Sequence, residues 1–456
     1  ADPERYTPDL ALSLHNLGVT LEELGRKSEA LEAKQEAVDI RRRLAEKDPD
    51  RYTPDLAASL HNLGLGLQKL GRYAEAADVA QEAVDLRRGL VEKDPDRYRP
   101  NLALSLHSLG VTLGELGRED EALRLKQEAV DIYRVLAEAN PDHYALDLAV
   151  SLHNLGFSLQ QLDRHTEAAD IGQEAVALYR RLAEVDPDRY TLDLAVSLHN
   201  LGITLRELDR HTEAAEVVGE AVVLYRDQVE ADPRYTRDLA RSLRELGRIL
   251  GELGREGEAL GPKQEAVDIY RVLAKADPDR YRPDLAVSLH NLAIALRELG
   301  RHAEAVDAGQ EAVAIRRELA AVSHRFRPSL AFSLRELGIT LGEMGRHAEA
   351  LEAGQEEIAI LRVEAVSGRF RSELALALHD LGITLGELGR DAEAVEVERE
   401  AVALHRVLAE ADPDRYTSKL AASLQKLDID LRNLGRHAEA VEVAQEAVAV
   451  YRGLAE

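Results

Sequence analysis

The residues of this sequence that could most readily do chemistry form a row of histidines, one in each of seven similar segments. A row of imidazoles suggests either a metal site or a group that titrates near neutral pH. Equivalent positions of packed helical segments should lie about 8–10 Å apart, whereas zinc needs its ligands within about 2 Å. We therefore predict no metal site and no cofactor, and a pH response stays open. The histidines are His15, His61, His107, His153, His199, His290 and His379.

The position that follows each histidine is also polar, and it is most often asparagine. A side-chain amide can hydrogen-bond a bound segment, or it can bridge two neighbouring helices, and the pattern leaves both roles open. Two later segments carry arginine and glutamate in place of histidine and asparagine. Together with the histidines, the candidate binding site consists of Asn16, Asn62, Ser108, Asn154, Asn200, Arg244, Glu245, Asn291, Arg335, Glu336 and Asp380.

A row of glutamates follows the candidate site at a fixed distance along the chain. An acidic row on a binding surface would favour a basic or amide-rich peptide, and the alternative is an ordinary solvated helix face. The row comprises Glu23, Glu115, Glu207, Glu252, Glu298, Glu343 and Glu387.

These residues recur because the whole chain is built from repeats. Tyr6, Tyr52 and Tyr98 mark the period of 46 residues, which shortens in some later repeats. A stack of repeats grows without the size limit of a single core. We therefore predict one solenoid over residues 1–456, an all-α array of ten helix pairs. Its repeats should begin near residues 5, 51, 97, 143, 189, 234, 280, 325, 369 and 415.

Each repeat has the pattern of two helices, here called helix A and helix B. In the second repeat Thr53 and Pro54 are typical of a helix start, and Leu56, Leu60, Leu63, Leu67 and Leu70 then form an apolar stripe. Gly71 should end helix A. Helix B should run from about Ala74 to Lys93, where the next Asp-Pro pair ends it.

Small residues at fixed places predict close packing of helices A and B. Gly64 lies on helix A, and helix B carries an alanine at two positions, Ala76 and Ala83 in this repeat. The second alanine becomes Glu357 in the eighth repeat, where the side chain should open a gap or find a partner. Pro262 falls inside a helix B and predicts a bend there.

The order Leu63-Gly64, Gly71, Ala76, Ala83 and a closing proline resembles the tetratricopeptide repeat. The long unit is similar to the repeats of kinesin light chains and of bacterial tandem arrays. This resemblance implies a right-handed superhelix whose A helices line a concave groove for a peptide or a partner's helix. It also implies that the asparagine before Leu-Gly contacts the ligand backbone. Ser108, Glu245, Glu336, Asp380 and Lys426 depart from that asparagine.

Composition excludes several functions. The formal net charge of −26 repels nucleic-acid phosphates and anionic membranes. The chain has no cysteine and no run long enough to span a bilayer. No motif for catalysis is found, so we predict that it is not an enzyme. The bias toward alanine, arginine, glutamate and leucine suggests a bacterial protein, and we expect it to be cytoplasmic. Because the sequence starts at Ala1 without methionine and in phase with the repeat, we interpret it as a fragment or processed form.

The leading hypothesis is therefore a non-enzymatic scaffold that binds a peptide or partner segment in its groove, and the acidic row would favour a basic one. One alternative is the sensor or regulatory arm of a larger bacterial signalling or defence protein. Another is self-assembly by head-to-tail stacking.

Overall fold

Five of the described A helices, among them that of the second repeat, begin at an aspartate and a proline. In the computed structural model, which describes residues 6–455, Asp48 accepts a hydrogen bond from the backbone N–H of Arg51 at 3.3 Å, and Pro49 is the first residue of the helix. Our prediction of Thr53 as the cap was therefore wrong, and Pro54 lies inside the helix. The carboxylate satisfies a free N–H at the helix start, and proline costs nothing there.

Helix A ends in a residue with left-handed backbone, as predicted. Gly71 has a φ of 71°. Its N–H donates to the carbonyl of Gln68 at 2.9 Å, and the N–H of Arg72 donates to the carbonyl of Leu67 at 3.0 Å. Glycine adopts this conformation at no steric cost. The chain is thereby turned directly into helix B.

The first of two compact units, Ala1–Ala231, holds five repeats. Its described A helices are α1 (Thr7–Glu23), α3 (Pro49–Gln68), α5 (Pro95–Glu115), α7 (Pro141–Gln161) and α9 (Pro187–Glu207). Its B helices are α2 (Lys27–Lys47), α4 (Tyr73–Lys93), α6 (Glu119–Ala139), α8 (His165–Val185) and α10 (His211–Ala231). The predicted start of the first repeat at residue 5 lies outside the described residues.

The second unit, Asp232–Glu456, holds the other five repeats. Its A helices are α11 (Thr236–Glu252), α13 (Pro278–Glu298), α15 (Arg327–Glu343), α17 (Arg371–Glu387) and α19 (Pro413–Asn433). Its B helices are α12 (Glu256–Ala276), α14 (His302–Val322), α16 (His347–Glu364), α18 (Asp391–Ala411) and α20 (His437–Ala455). Short 3₁₀ turns at Pro233–Tyr235, His324–Phe326 and Ala365–Ser367 stand where the repeat period shortens.

Both units are therefore all-α arrays of tandem helix pairs, and residues 6–455 contain no strand. Whether the two units form one continuous solenoid stays a prediction. Pro262 lies within the unbroken helix α12, so it does not end that helix. The bend expected there also stays a prediction.

The core lies between helices A and B and between neighbouring repeats. Leu56, Leu60, Leu63 and Leu67 of α3 are buried, which confirms those members of the apolar stripe. A Cβ built on Gly64 would lie 3.6 Å from the carbonyl oxygen of Ala76, so the two helices approach closely. Packing of these apolar faces supplies most of the stability of helices of this length.

Candidate functional site

The histidines of the row lie on the A helices, and most of them contact the A helix of the next repeat. These are His15, His107, His153, His290 and His379. His107 on α5 is half-buried. The Oγ of Ser151 lies 3.2 Å from its Nδ1, and the Nδ2 of Asn154 lies 3.5 Å from its Nε2. An amide nitrogen can only donate, so Nε2 accepts and Nδ1 carries the proton. The contact is therefore made by a neutral imidazole.

The same contact recurs along the first unit. Asn62 Nδ2 lies 3.5 Å from His15 Nε2, and Asn200 Nδ2 lies 3.5 Å from His153 Nε2. Positions that are 47 residues apart in the chain thus meet in space. The contact joins the first repeat to the second, the third to the fourth and the fourth to the fifth. Asn62, Asn154 and Asn200 therefore bridge neighbouring A helices, which is one of the two roles that the sequence left open.

Burial keeps most of these histidines neutral near pH 7. Burial lowers the pKa of His61, His107 and His290 to about 4. Arg87, Lys126 and Arg316 respectively add to this effect by charge repulsion. The pKa values of His15 and His153 are lowered for the same primary reason.

Other members of the predicted site differ in exposure. Ser108 is buried, and its hydroxyl donates to the carbonyl of Leu104 at 2.9 Å. Asn16 is exposed, whereas His199 is buried. Glu245 and Asn291 are half-buried.

In the second unit arginine at the histidine position forms ion pairs between repeats. Arg244 Nη1 lies 2.8 Å from an oxygen of Asp284. Arg335 Nη2 lies 3.1 Å from Oδ2 of Asp380. Glu336 is paired with Arg297, at 3.5 Å. The row therefore changes from hydrogen-bonded amides to paired charges.

His379 differs from the other histidines because a buried carboxylate faces it. Its Nδ1 lies 2.8 Å from Oε1 of Glu398, whose side chain is fully buried. Burial alone would lower the pKa of His379, but the hydrogen bond and charge of Glu398 outweigh it, so the pKa is raised. This is the member of the row best placed to hold a proton.

Several glutamates of the acidic row are paired with other side chains of the protein. Glu343 lies 3.4 Å from Arg297, and Glu387 lies 2.7 Å from His347. Glu252 accepts from Arg248 at 3.1 Å. Glu207 contacts Arg206, and Glu23, Glu115 and Glu298 are exposed. Several of these glutamates therefore neutralise cations of the protein itself.

Sequence reasoning missed a set of buried cations on the B helices. Arg87 Nη1 donates to the carbonyl of Asn101 at 2.6 Å and also contacts the hydroxyl of Ser105. Lys126 donates to Ser158 at 2.6 Å. Their recurrence, as Arg41 and Arg316 and as Lys34 and Lys263, was the available signal. Arg41, Arg87, Lys126 and Arg316 each tie their own B helix to the next A helix.

The side chain at the altered alanine position, Glu357, lines a cavity of about 190 Å³ between α15, α16 and α17. Arg335 and Asp380 line it as well. Glu357 is only 4% exposed. The gap expected from this glutamate is therefore present.

Comparison with known proteins places these repeats in a family. One tetratricopeptide repeat model matches residues 147–227 and 273–318, and a second matches residues 10–50, 56–96, 102–145 and 374–414. Together the matches cover more than half of the sequence. The chain belongs to the tetratricopeptide repeat family. No curated protein matches the sequence.

Solved tetratricopeptide and related structures resemble parts of the chain. BtubC (BKLC) from P. vanneervenii is 22% identical over 53% of this chain and 90% of its own, with a TM-score of 0.42. A putative kinesin light chain from Podosopora anserina is 26% identical over 48% of this chain and 97% of its own, with a TM-score of 0.39. The apo form of RapI is 13% identical over 67% and 97%, with a TM-score of 0.45.

Membership of the tetratricopeptide repeat family supports a protein-interaction scaffold with protein or peptide partners. Within the described residues no helix is long and apolar enough to cross a membrane. In that same part of the chain, no three or more histidine, aspartate or glutamate side chains are grouped to hold a metal ion.

Proposed function

We propose that this protein is a non-enzymatic, cytoplasmic scaffold that binds an extended segment of a partner along its row of A-helix residues. The candidate site is the row predicted from the sequence, which runs from His15 and Asn16 to His199 and Asn200 in the first unit. In the second unit it runs from Arg244 and Glu245 to His379 and Asp380. The acidic surroundings favour a segment with basic residues, since the chain carries a formal net charge of −26.

One observation supports this role most directly. The asparagines of the first unit use Nδ2 toward the preceding histidine, as Asn154 does toward His107. Within the described residues, no donor is paired with Oδ1 of Asn62, Asn154 or Asn200. A carbonyl oxygen in that state can accept a hydrogen bond from a backbone N–H of a bound peptide. Repetition along the row would spread the affinity over several repeats.

The test is enrichment of peptides from a displayed random library. The parent protein is compared with a variant in which Asn62, Asn154, Asn200 and Asn291 are changed to alanine. The control changes four exposed glutamines of B helices to alanine, namely Gln81, Gln173, Gln310 and Gln355. Equal helicity and melting are checked first.

We expect the asparagine variant to bind the enriched peptides at least about tenfold more weakly, because each lost hydrogen bond contributes about 0.5–1.5 kcal/mol. The glutamine control should bind them as the parent does. Equal binding by all three proteins would place the binding surface elsewhere. The regulatory-arm and self-assembly hypotheses stay predictions.

A further inference from the structure

The cavity in the eighth and ninth repeats has an apolar base and a charged rim. Its walls come from α15, α16 and α17, all in the second unit. Leu334, Ala350 and Ala377 are buried at its base. Glu343 and Glu387 are exposed at its rim. The cavity can therefore be reached from between two successive A helices.

Glu357 is the unusual residue of this cavity. Nine of the ten repeats carry alanine at its position, and the eighth carries a carboxylate that is only 4% exposed. No hydrogen-bond or ion-pair partner for this carboxylate exists among the described residues. Leaving such a group buried without a partner is costly. The side chain lines the cavity, so a bound group could supply the missing partner.

The other charged groups of the lining already have partners. Arg335 is paired with Asp380 at 3.1 Å. Glu343 is paired with Arg297 at 3.4 Å, and Glu387 with His347 at 2.7 Å. Within the described residues, the carboxyl group of Glu357 is the acid of this lining that has no partner, and it becomes negative when it loses its proton. The complementary ligand is therefore a cation.

The size of the cavity restricts that cation. A cavity of about 150 Å³ can hold a molecule the size of benzene, and this one measures about 190 Å³. A primary ammonium or a guanidinium with part of its alkyl stem fits such a space. Apolar walls suit the stem, and the buried carboxylate suits the charged head.

We propose that this cavity accepts the ammonium or guanidinium group of a lysine or arginine side chain of the bound segment, with Glu357 as its counter-ion. The proposal rests on the proposed function, because the side chain is carried by the partner. It adds a specificity pocket at one defined repeat. Burial raises the pKa of Glu357 to about 8, with Asp380 and Glu336 adding to the rise and Arg335 opposing it. Binding of the cation should therefore release a proton near neutral pH.

The direct test uses methylguanidinium as the probe and neutral methylurea, of the same shape, as its control. Saturation-transfer NMR compares the full-length parent with Glu357→Gln and with Glu352→Gln. Glu352 is exposed on the same helix, so this control makes the same change of charge. We expect methylguanidinium to bind the parent and the control at least about tenfold better than the Glu357 variant. Methylurea should bind none of them.

A second variant separates the pocket from the charge. A Cβ built on Gly342, which lines the cavity, meets no atom within 4 Å. Gly342→Leu should therefore fill the space without displacing the helix. This variant should no longer bind methylguanidinium, although Glu357 is intact. Equal binding of the probe by the parent and Glu357→Gln, or no binding by the parent, would overturn the proposal.

The peptide library distinguishes this proposal from the broader one. The parent and Glu352→Gln should enrich lysine or arginine at one peptide position, and Glu357→Gln should lose that preference while still binding. If methylguanidinium binds at Glu357 but no peptide is enriched, the cation site is supported and the scaffold function is refuted. If the parent enriches peptides but the preference for lysine or arginine is absent, or is unchanged in Glu357→Gln, the pocket is refuted and the scaffold function is not.

Discussion

Asn154 Nδ2 lies 3.5 Å from His107 Nε2, so an amide of one repeat meets the imidazole of the repeat before it. This geometry requires the ring to be neutral, because a protonated imidazole would direct an N–H at the amide N–H. Ser151 contacts the other ring nitrogen at 3.2 Å. The contact is therefore stable only while His107 has no charge.

Acid should weaken the first unit through this residue. Burial, with the charge of Lys126 adding to it, lowers the pKa of His107 from its ordinary value of 6.5 to about 4. A histidine whose folded pKa is depressed contributes stability that is present above pH 6.5 and is lost as pH falls toward 4. That loss is on the order of 3 kcal/mol. Urea unfolding between pH 7 and pH 4 should show a smaller acid loss in His107→Gln than in the parent.

The matched control for this experiment is the exposed His143 of the same unit. His143→Gln should leave the acid dependence of the parent unchanged. An equal acid loss in the parent and in His107→Gln would contradict the assignment.

Glu357 should give the opposite dependence on pH in the second unit. Burial raises its pKa from the ordinary value of 4.5 to about 8, with Asp380 and Glu336 adding to the rise and Arg335 opposing it. The folded state therefore holds a proton that the unfolded state loses, and stability falls as pH rises from 4.5 to 8. Glu357→Gln resembles the protonated acid. It should match the parent near pH 5 and exceed it by about 1–3 kcal/mol near pH 8.

Thermal and urea unfolding across this pH range measure the difference. Glu352→Gln controls for the removal of one negative charge at the surface. If the free energy of unfolding of Glu357→Gln differs from that of the parent by the same amount at all pH values, the pKa of Glu357 is the same in the folded and unfolded states.

Equivalent glycines on two A helices should respond differently to a methyl group. A Cβ built on Gly202 would overlap Cγ2 of Val218, which is fully buried, whereas one on Gly64 would lie 3.6 Å from its nearest neighbour. Gly202→Ala should destabilise the first unit by about 1–3 kcal/mol through overpacking. Gly64→Ala should be neutral or stabilising by up to about 1 kcal/mol, since alanine favours the helix. Urea midpoints of the two variants decide this, and equal shifts would contradict it.

These contrasts show which features the sequence could predict. The period, the two helices and the burial of Ala76 and Ala83 follow from spacing, because a residue repeated at one helical position keeps one environment. The left-handed Gly71 follows from its place after the leucine stripe. Each of these features depends on residues close together in the sequence, so helix periodicity and the glycine at the helix end are enough to predict it.

The missing parts depend on contacts between repeats or on competing local signals. Asp48-Pro49 and Thr53-Pro54 are both acceptable helix starts, and only the structure shows that the earlier pair is used. Asparagine at the candidate site could bind a ligand or bridge helices, and Asn62 reaches His15 only because neighbouring A helices pack in register. The sequence predicted a gap or a partner for Glu357. The carboxyl group of Glu357 lacks a partner because of how the side chains of three helices are arranged around it, and the sequence does not show that arrangement.

The turn between helices A and B offers a last prediction. Eight repeats place glycine at the left-handed position, but the fourth and fifth carry Asp163 and Asp209, with φ of 55° and 57°. A side chain in this conformation is strained, although aspartate tolerates it better than most residues. The nearby His165 and His211 lie 3.7 and 3.6 Å from these exposed carboxylates, and such surface pairs contribute little.

Asp163→Gly should therefore raise the free energy of unfolding of the first unit by about 0.5–1 kcal/mol. The reciprocal change Gly71→Asp should lower it by a similar amount. The two sites lie in separate turns, so Asp163→Gly and Asp209→Gly should add within about 0.5 kcal/mol. Urea unfolding of the three variants and the double variant tests this. A loss of stability in Asp163→Gly would mean that the carboxylate contributes more to the start of α8 than the backbone strain costs.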